Sequence, residues 1–211
     1  MILSHSKKFI FIHIYKVAGT SIRNTLASYH DLRFSDFPLV DNLRFMIGKR
    51  VKSFSDWSIE HVKAKEIQEK INPEVFNSYY KFAFVRNPWD WQVSLYHFML
   101  QMKSHRQHNI VKKMKDFDEY LNWRIRQPNF ELQRDFIYSD DDKLLVDFVG
   151  KFESLQKDFD KICLNIGVKP EILPVKQQSE HAYYKEYYND RSKDLVYKTF
   201  KADIDRFGYE F

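Results

Sequence analysis

The chain has 211 residues, 44% of them hydrophobic and 30% charged, a balance that fits one substantial core and excludes a disordered or fibrous protein. Its net charge of +5 favours anionic ligands in general yet falls short of a nucleic-acid-binding signature, so no nucleic acid partner is expected. A lone cysteine, Cys163, excludes a disulfide framework and a thiolate zinc site, and no apolar run approaches the roughly 18 residues of a membrane span or the layout of a signal peptide, so a cytoplasmic protein is expected.

In chain order, Lys8 to Ile14 is an almost continuous apolar run, which predicts a strand buried on both faces, and "SIRNTLASYH" after it predicts a helix. "AKEIQEKI" reads as an amphipathic helix. A second strand is predicted at Tyr80 to Val85, followed by the helical pattern "PWDWQVSLYHFMLQM". The segment Lys103 to Lys115, "KSHRQHNIVKKMK", holds five Lys or Arg and no acid and predicts a solvated, mobile loop. "DFDEYLNWRI" predicts another amphipathic helix, Leu144 to Phe152 a third strand, and "SLQKDFDKICLNIG" a helix closed by Gly167. At the end, Val196, Phe200, Ile204 and Phe207 repeat at spacings of three and four, the core face of one C-terminal helix. Strand-helix alternation implies an α/β domain around a mostly parallel sheet, and nothing marks a boundary within residues 1–211.

Ligands of parallel sheets collect beyond the carboxyl ends of the strands, where the turn Tyr15 to Ser21 lies. Gly19 permits close backbone approach, Thr20 and Ser21 can cap the helix and donate hydroxyls, and Lys16 brings a full positive charge, so the turn has the parts of a phosphate cradle. An ordinary capped turn accounts for Gly19 and Thr20 but leaves Lys16 without a role. The order of residues does not fit G-x-x-x-x-G-K-[ST], because Lys16 precedes the glycine. In "FVRNPWDWQVSLY", Arg86 ends the second strand, Asn87 is placed as helix cap, Pro88 as first helical residue and Asp90 in the first turn, with Ser94 two turns along. Arg86 and Ser94 can grip a second phosphate; a structural ion pair between Arg86 and Asp90 is the plain alternative.

These two stretches resemble the 5'-phosphosulfate loop and the 3'-phosphate motif of PAPS-dependent sulfotransferases, with "IYKVAGTS" set against the usual P-K-[TV]-A-G-T-S. The nearest resemblance is to the carbohydrate-type (family 2) branch, which includes heparan and chondroitin sulfotransferases and small bacterial members. "VDFVGKFESLQKDF" and the tail "DIDRFGYEF" extend the likeness across most of the chain. Tyr15 departs from the pattern where Pro is usual, and Trp91 where Arg is common.

The resemblance implies a P-loop-like three-layer fold of a central, mostly parallel sheet flanked by helices. It implies transfer of a sulfuryl group from PAPS (3'-phosphoadenosine 5'-phosphosulfate) to a hydroxyl, with PAP as product, without metal, on a carbohydrate or other hydroxyl-bearing acceptor. Lys16 would stabilise the leaving oxygen, backbone N–H groups of Ala18, Gly19, Thr20 and Ser21 would hold the 5'-phosphate, and Arg86 and Ser94 the 3'-phosphate. His61, in "WSIEHVKAKEI", is the expected base, with neighbouring Glu60 the competitor and a surface histidine the plain alternative. Lys176 and Ser179 fall in the region that closes over the cofactor in this family. His13 is expected to be a packed core histidine, and Tyr183, Tyr184, Tyr187 and Tyr188 to pack against the core. A P-loop-like small-molecule kinase and a non-catalytic nucleotide- or anionic-glycan-binding module are the competing functions.

Overall fold

The computed structural model describes residues 1–33, 36, 61–174 and 182–211. The chain gathers into two compact units, one of Met1–Val85 with Asp135–Lys176, the other of Arg86–Arg134 with Gln177–Phe211.

The first unit carries a four-stranded sheet in the order β1 (Ile2–Ser4), β2 (Phe9–Ile12), β3 (Tyr80–Val85), β4 (Phe148–Lys151). β2, β3 and β4 are parallel, with Phe11 opposite Phe82 and Phe84 opposite Gly150, and β1 adds an antiparallel edge. The architecture is thus the expected mostly parallel α/β arrangement. Every residue of β2 and all but the first of β3 is buried, which is why both read as unbroken apolar runs. Gly150 is small because Phe84 packs across it: a Cβ there would lie 2.5 Å from the ring. Helices α1 (Gly19–Thr25), α2 (Ala64–Lys70), α3 (Pro73–Ser78) and α7 (Leu155–Asn165) belong to this unit.

The strand reading is corrected at three points: the first expected strand, Lys8 to Ile14, shortens to β2 (Phe9–Ile12), and two others differ more. β1 went unread, although Met1, Ile2 and Leu3 are buried. The third predicted strand shortens to β4, because Leu144 bridges antiparallel to Tyr138 and Leu145 N–H bonds the Ile137 carbonyl at 2.8 Å, which takes these residues out of the parallel ladder.

The second unit is helical: α4 (Pro88–Gln101), α5 (His108–Val111), α6 (Phe117–Arg124), α8 (Asp190–Thr199) and α9 (Lys201–Phe207). Asn87 caps α4 by accepting from Trp89 N–H, Pro88 opens it and Asp90 sits in the first turn, as its sequence dictates. The expected single C-terminal helix is two helices that meet at Phe200 (φ −101, ψ 17); Val196, Phe200, Ile204 and Phe207 are nonetheless all buried, so the apolar stripe survives the break. The stretch Lys103–Lys115, expected as a loop, contains α5 and is anchored by buried His108 and Val111.

Candidate functional site

β2 hands the chain to a turn whose buried and half-exposed residues alternate with purpose. Ile14 and Val17 are buried and pin the turn from below, while Tyr15, Lys16 and Ala18 stay partly exposed. Lys16 (φ 61) and Ala18 (φ 63) both adopt the left-handed conformation, which costs a non-glycine residue on the order of 1 kcal/mol or more and persists only where the surroundings enforce it. Ala18 takes the cap position of α1 and makes no side-chain bond to the helix, so the expectation that Thr20 or Ser21 caps it is corrected: both lie inside the first turn. The N–H groups of Gly19, Thr20 and Ser21 thus belong to the first turn of α1, where a helix has no preceding carbonyls of its own to offer them.

Gly19 has a more specific reason to lack a side chain than close approach in general. A Cβ at this position would lie 1.8 Å from Cδ2 and Nε2 of His13, whose ring occupies that space. His13 is buried, as expected, stacks on Phe11 and meets the His61 ring edge-on at 4.4 Å. Burial first, then the fields of His61, the N-terminal amine and Arg23, hold its pKa well below the usual histidine value, so it is neutral; its Nδ1 is buried without a hydrogen-bond partner.

His61 reaches the same turn from 48 residues away, its Nδ1 lying 2.9 Å from the His13 carbonyl oxygen. A carbonyl only accepts, so Nδ1–H donates, and in the neutral ring that tautomer leaves the lone pair on Nε2. Tyr15 closes the other side, edge-on to His61 at 5.6 Å and to Phe136 at 5.8 Å, while buried Val62 fixes the chain just after His61. Tyr15, which stands where the resembled pattern has Pro, thus packs against one side of a histidine that is otherwise exposed. Glu60, the competing base, lies outside the described residues, as do Lys176 and Ser179.

In the second unit, Arg86 is held by backbone and side chain. Gln133, fully buried, accepts from Arg86 N–H through Oε1 and donates to the Arg86 carbonyl through Nε2, both at 2.8 Å. Asp203 of α9 in turn accepts from the N–H groups of Gln133 (2.8 Å) and Arg134 (2.9 Å). The guanidinium Nε donates to Asp90 at 2.7 Å, so the ion pair weighed from the sequence is present. It orients Arg86 rather than removing it from consideration, since a guanidinium has five donors in a fixed fork. Ser94 is buried two turns along α4.

Trp91 is fully buried and packs edge-on against Phe200 at 6.0 Å, so the residue that departs from the family pattern belongs to the core of its unit. Tyr188 donates its hydroxyl to the Trp89 carbonyl at 2.8 Å and packs on Phe117, and Tyr187 also meets Phe117, which bears out packing for this pair; Tyr183 is largely exposed. Sequence reasoning missed Gln133 and Asp203, which carry no local pattern. Among the described residues, no group of three or more His, Cys, Asp and Glu side chains is placed to hold a metal.

An uncharacterised protein of Archaeoglobus fulgidus is 31% identical to this chain over 110 residues, 52% of this chain and 85% of that one. The family model described as "Sulfotransferase family" matches residues 1–210. Sulfotransferases have a P-loop-like fold, which the mostly parallel sheet and its flanking helices follow. With a match that leaves out only the last residue, the chain belongs to the sulfotransferase family.

Proposed function

We propose that residues 1–211 act as one catalytic domain that transfers a sulfuryl group from PAPS to a hydroxyl on a carbohydrate acceptor, in the cytoplasm. The observation that carries this reading is the turn Tyr15–Ser21, where two left-handed residues and a helix start without a side-chain cap meet His61. PAPS, as co-substrate, brings the sulfuryl group and its bisphosphate leaving group. Ala18, Gly19, Thr20 and Ser21 would hold the 5'-phosphate by their N–H groups, and Arg86 and Ser94 the 3'-phosphate; Lys176 and Ser179 are proposed to close over it.

The acceptor oxygen bonds to sulfur as the bond from sulfur to the phosphate oxygen breaks. His61 Nε2 takes the hydroxyl proton, and Lys16 stabilises the charge left on the phosphate oxygen. Positioning and charge stabilisation supply the rate, as in phosphoryl transfer, and the step requires no metal.

The test is calorimetric titration of the protein, without metal, with adenosine 3',5'-bisphosphate and with ATP. Tight binding of the bisphosphate and weak binding of ATP is expected; preference for ATP would favour a kinase, and no binding of either would remove the donor site. Lys16→Ala should abolish transfer yet keep appreciable bisphosphate affinity, and near-normal turnover would end its leaving-group role. In His61→Ala, a small rate loss with intact binding would pass the base role to Glu60.

A further inference from the structure

Four lysines on the helical surfaces are ion-paired: Lys161 with Asp158, Lys198 with Asp194, Lys201 with Asp205, Lys65 with Asp140. The segment between α4 and α6 gathers five cations that are not. Lys103, Arg106, Lys112, Lys113 and Lys115 are all exposed, and none has an ion-pair partner among the described residues. The next acids along the chain are Asp116, Asp118 and Glu119: Asp116 and Glu119 accept from the backbone N–H groups of Glu119 and Lys115 at the start of α6, and Asp118 accepts from the Asn189 side-chain amide at 2.6 Å. The local field is positive enough to register on a neighbour: burial first, then Arg106 and His108, lower the pKa of His105.

The segment is built, not loose. Bonds run from His105 N–H to Met102 O (2.8 Å), His108 to His105 (2.9 Å), Val111 to Gln107 (3.0 Å), Lys113 to Ile110 (3.2 Å) and Met114 to Val111 (3.1 Å). Its inward side is fixed by Val111 and by His108, whose Nδ1–H donates to the Met99 carbonyl at 3.0 Å, and His105 packs edge-on against Phe98. Arg106, Ile110 and Lys113 follow one another at spacings of four and three, and Ile110 is 49% exposed. An aliphatic side chain is thus half-exposed in a hydrogen-bonded turn whose sequence carries five exposed cations.

We propose that this surface docks the protein on an anionic lipid bilayer, with Ile110 at the boundary between headgroups and acyl chains and the five cations over the headgroups. Charge complementarity names an anionic partner, and Ile110 selects among such partners: a bilayer interface takes up an exposed aliphatic group along with basic ones, whereas a soluble polyanion gains nothing from it. No helix among the described residues is long and apolar enough to cross a membrane, and the attachment proposed is a peripheral one. It stands independently of the sulfuryl-transfer reading.

Co-sedimentation of the full chain with vesicles of phosphatidylcholine alone, and with about one third phosphatidylglycerol, tests it. Binding is expected only to the anionic vesicles and should fade as salt shortens the screening length from about 10 Å at 0.1 M to about 3 Å at 1 M. Each cation removed should weaken partitioning roughly fivefold, so Lys112→Gln with Lys113→Gln should lower it about 25-fold. Ile110→Ser should lower it about tenfold while leaving retention on immobilised dextran sulfate unchanged. All three positions are exposed, so circular dichroism should show an unaltered fold. Equal binding to both vesicle types, or Ile110→Ser vesicle binding equal to that of the parent chain, would overturn the proposal, the second in favour of a soluble polyanion.

Discussion

Replacing Gly19 with Ala puts the meaning of the His13–Gly19 contact to a test of sign. Gly19 sits in helical conformation at the start of α1, where Gly→Ala without a steric conflict stabilises by about 0.5–1 kcal/mol through the unfolded chain. Here the new methyl would lie 1.8 Å from two atoms of the His13 ring and 2.9 Å from a third, against the roughly 3.5 Å or more that carbon contacts require. The ring has little room to retreat, since it is only 6% exposed and lies between Phe11 and His61. Overpacking of this kind costs about 1–3 kcal/mol, which for a chain of this size lowers the melting temperature by about 2–12 °C. Calorimetric melting of Gly19→Ala, and of Gly19→Ala with His13→Ala, provides the assay, with the double variant recovering part of the loss because the ring is gone. A single variant as stable as the parent, or more stable, would refute the reasoning.

Three further outcomes are expected. Asp203→Ala leaves two backbone N–H groups without their acceptor and should cost about 2–4 kcal/mol by denaturant unfolding, with Asp203→Asn retaining part of that stability; equal stability of Ala and Asn variants would contradict the capping role. Cys163 is buried, and burial first, then Asp160 and Glu171, push its thiol up to about 11, so alkylation by iodoacetamide at pH 8 should proceed only as fast as the protein opens; rapid native-state labelling would show the site to be accessible. Because the folded-state pKa of His13 is lowered, the unfolded chain binds its proton more readily below about pH 6.5, so His13 contributes stability above that pH that is lost as pH falls, at up to about 1.4 kcal/mol per unit. The N-terminal amine, lowered to about 5, acts in the same direction, so the difference in pH slope between the parent and His13→Gln isolates the histidine; identical slopes would exclude it.

What could be read from the residues alone was local. β2 and β3 announce themselves as apolar runs, and the start of α4 is spelled out by Asn87, Pro88 and Asp90, because strand burial and helix capping act within a few residues. β1 is only three residues long and offers no period to detect. The break at Phe200 escapes a pattern-based reading because the stripe of apolar residues keeps its spacing through it. The turn Tyr15–Ser21 was legible as a place, but its reason for Gly19 was not, since the ring that fills the space comes from His13. Gln133 and Asp203 lie 47 and 70 residues from the groups they bind, and a polar residue matched to a distant backbone leaves no mark on its neighbours.

The Gln133 amide binds Arg86 as a neighbouring strand would, with one donor and one acceptor, yet it answers to α9 through Asp203. The backbone of Arg86 is therefore indexed to the far end of the chain, while Asp90 aims its guanidinium. Fraying of α9 alone would release the Gln133 hold on the Arg86 backbone while the β-sheet ladder stays closed, so the 3'-phosphate binding proposed for Arg86 would weaken at a temperature where a spectrum dominated by the sheet still looks native.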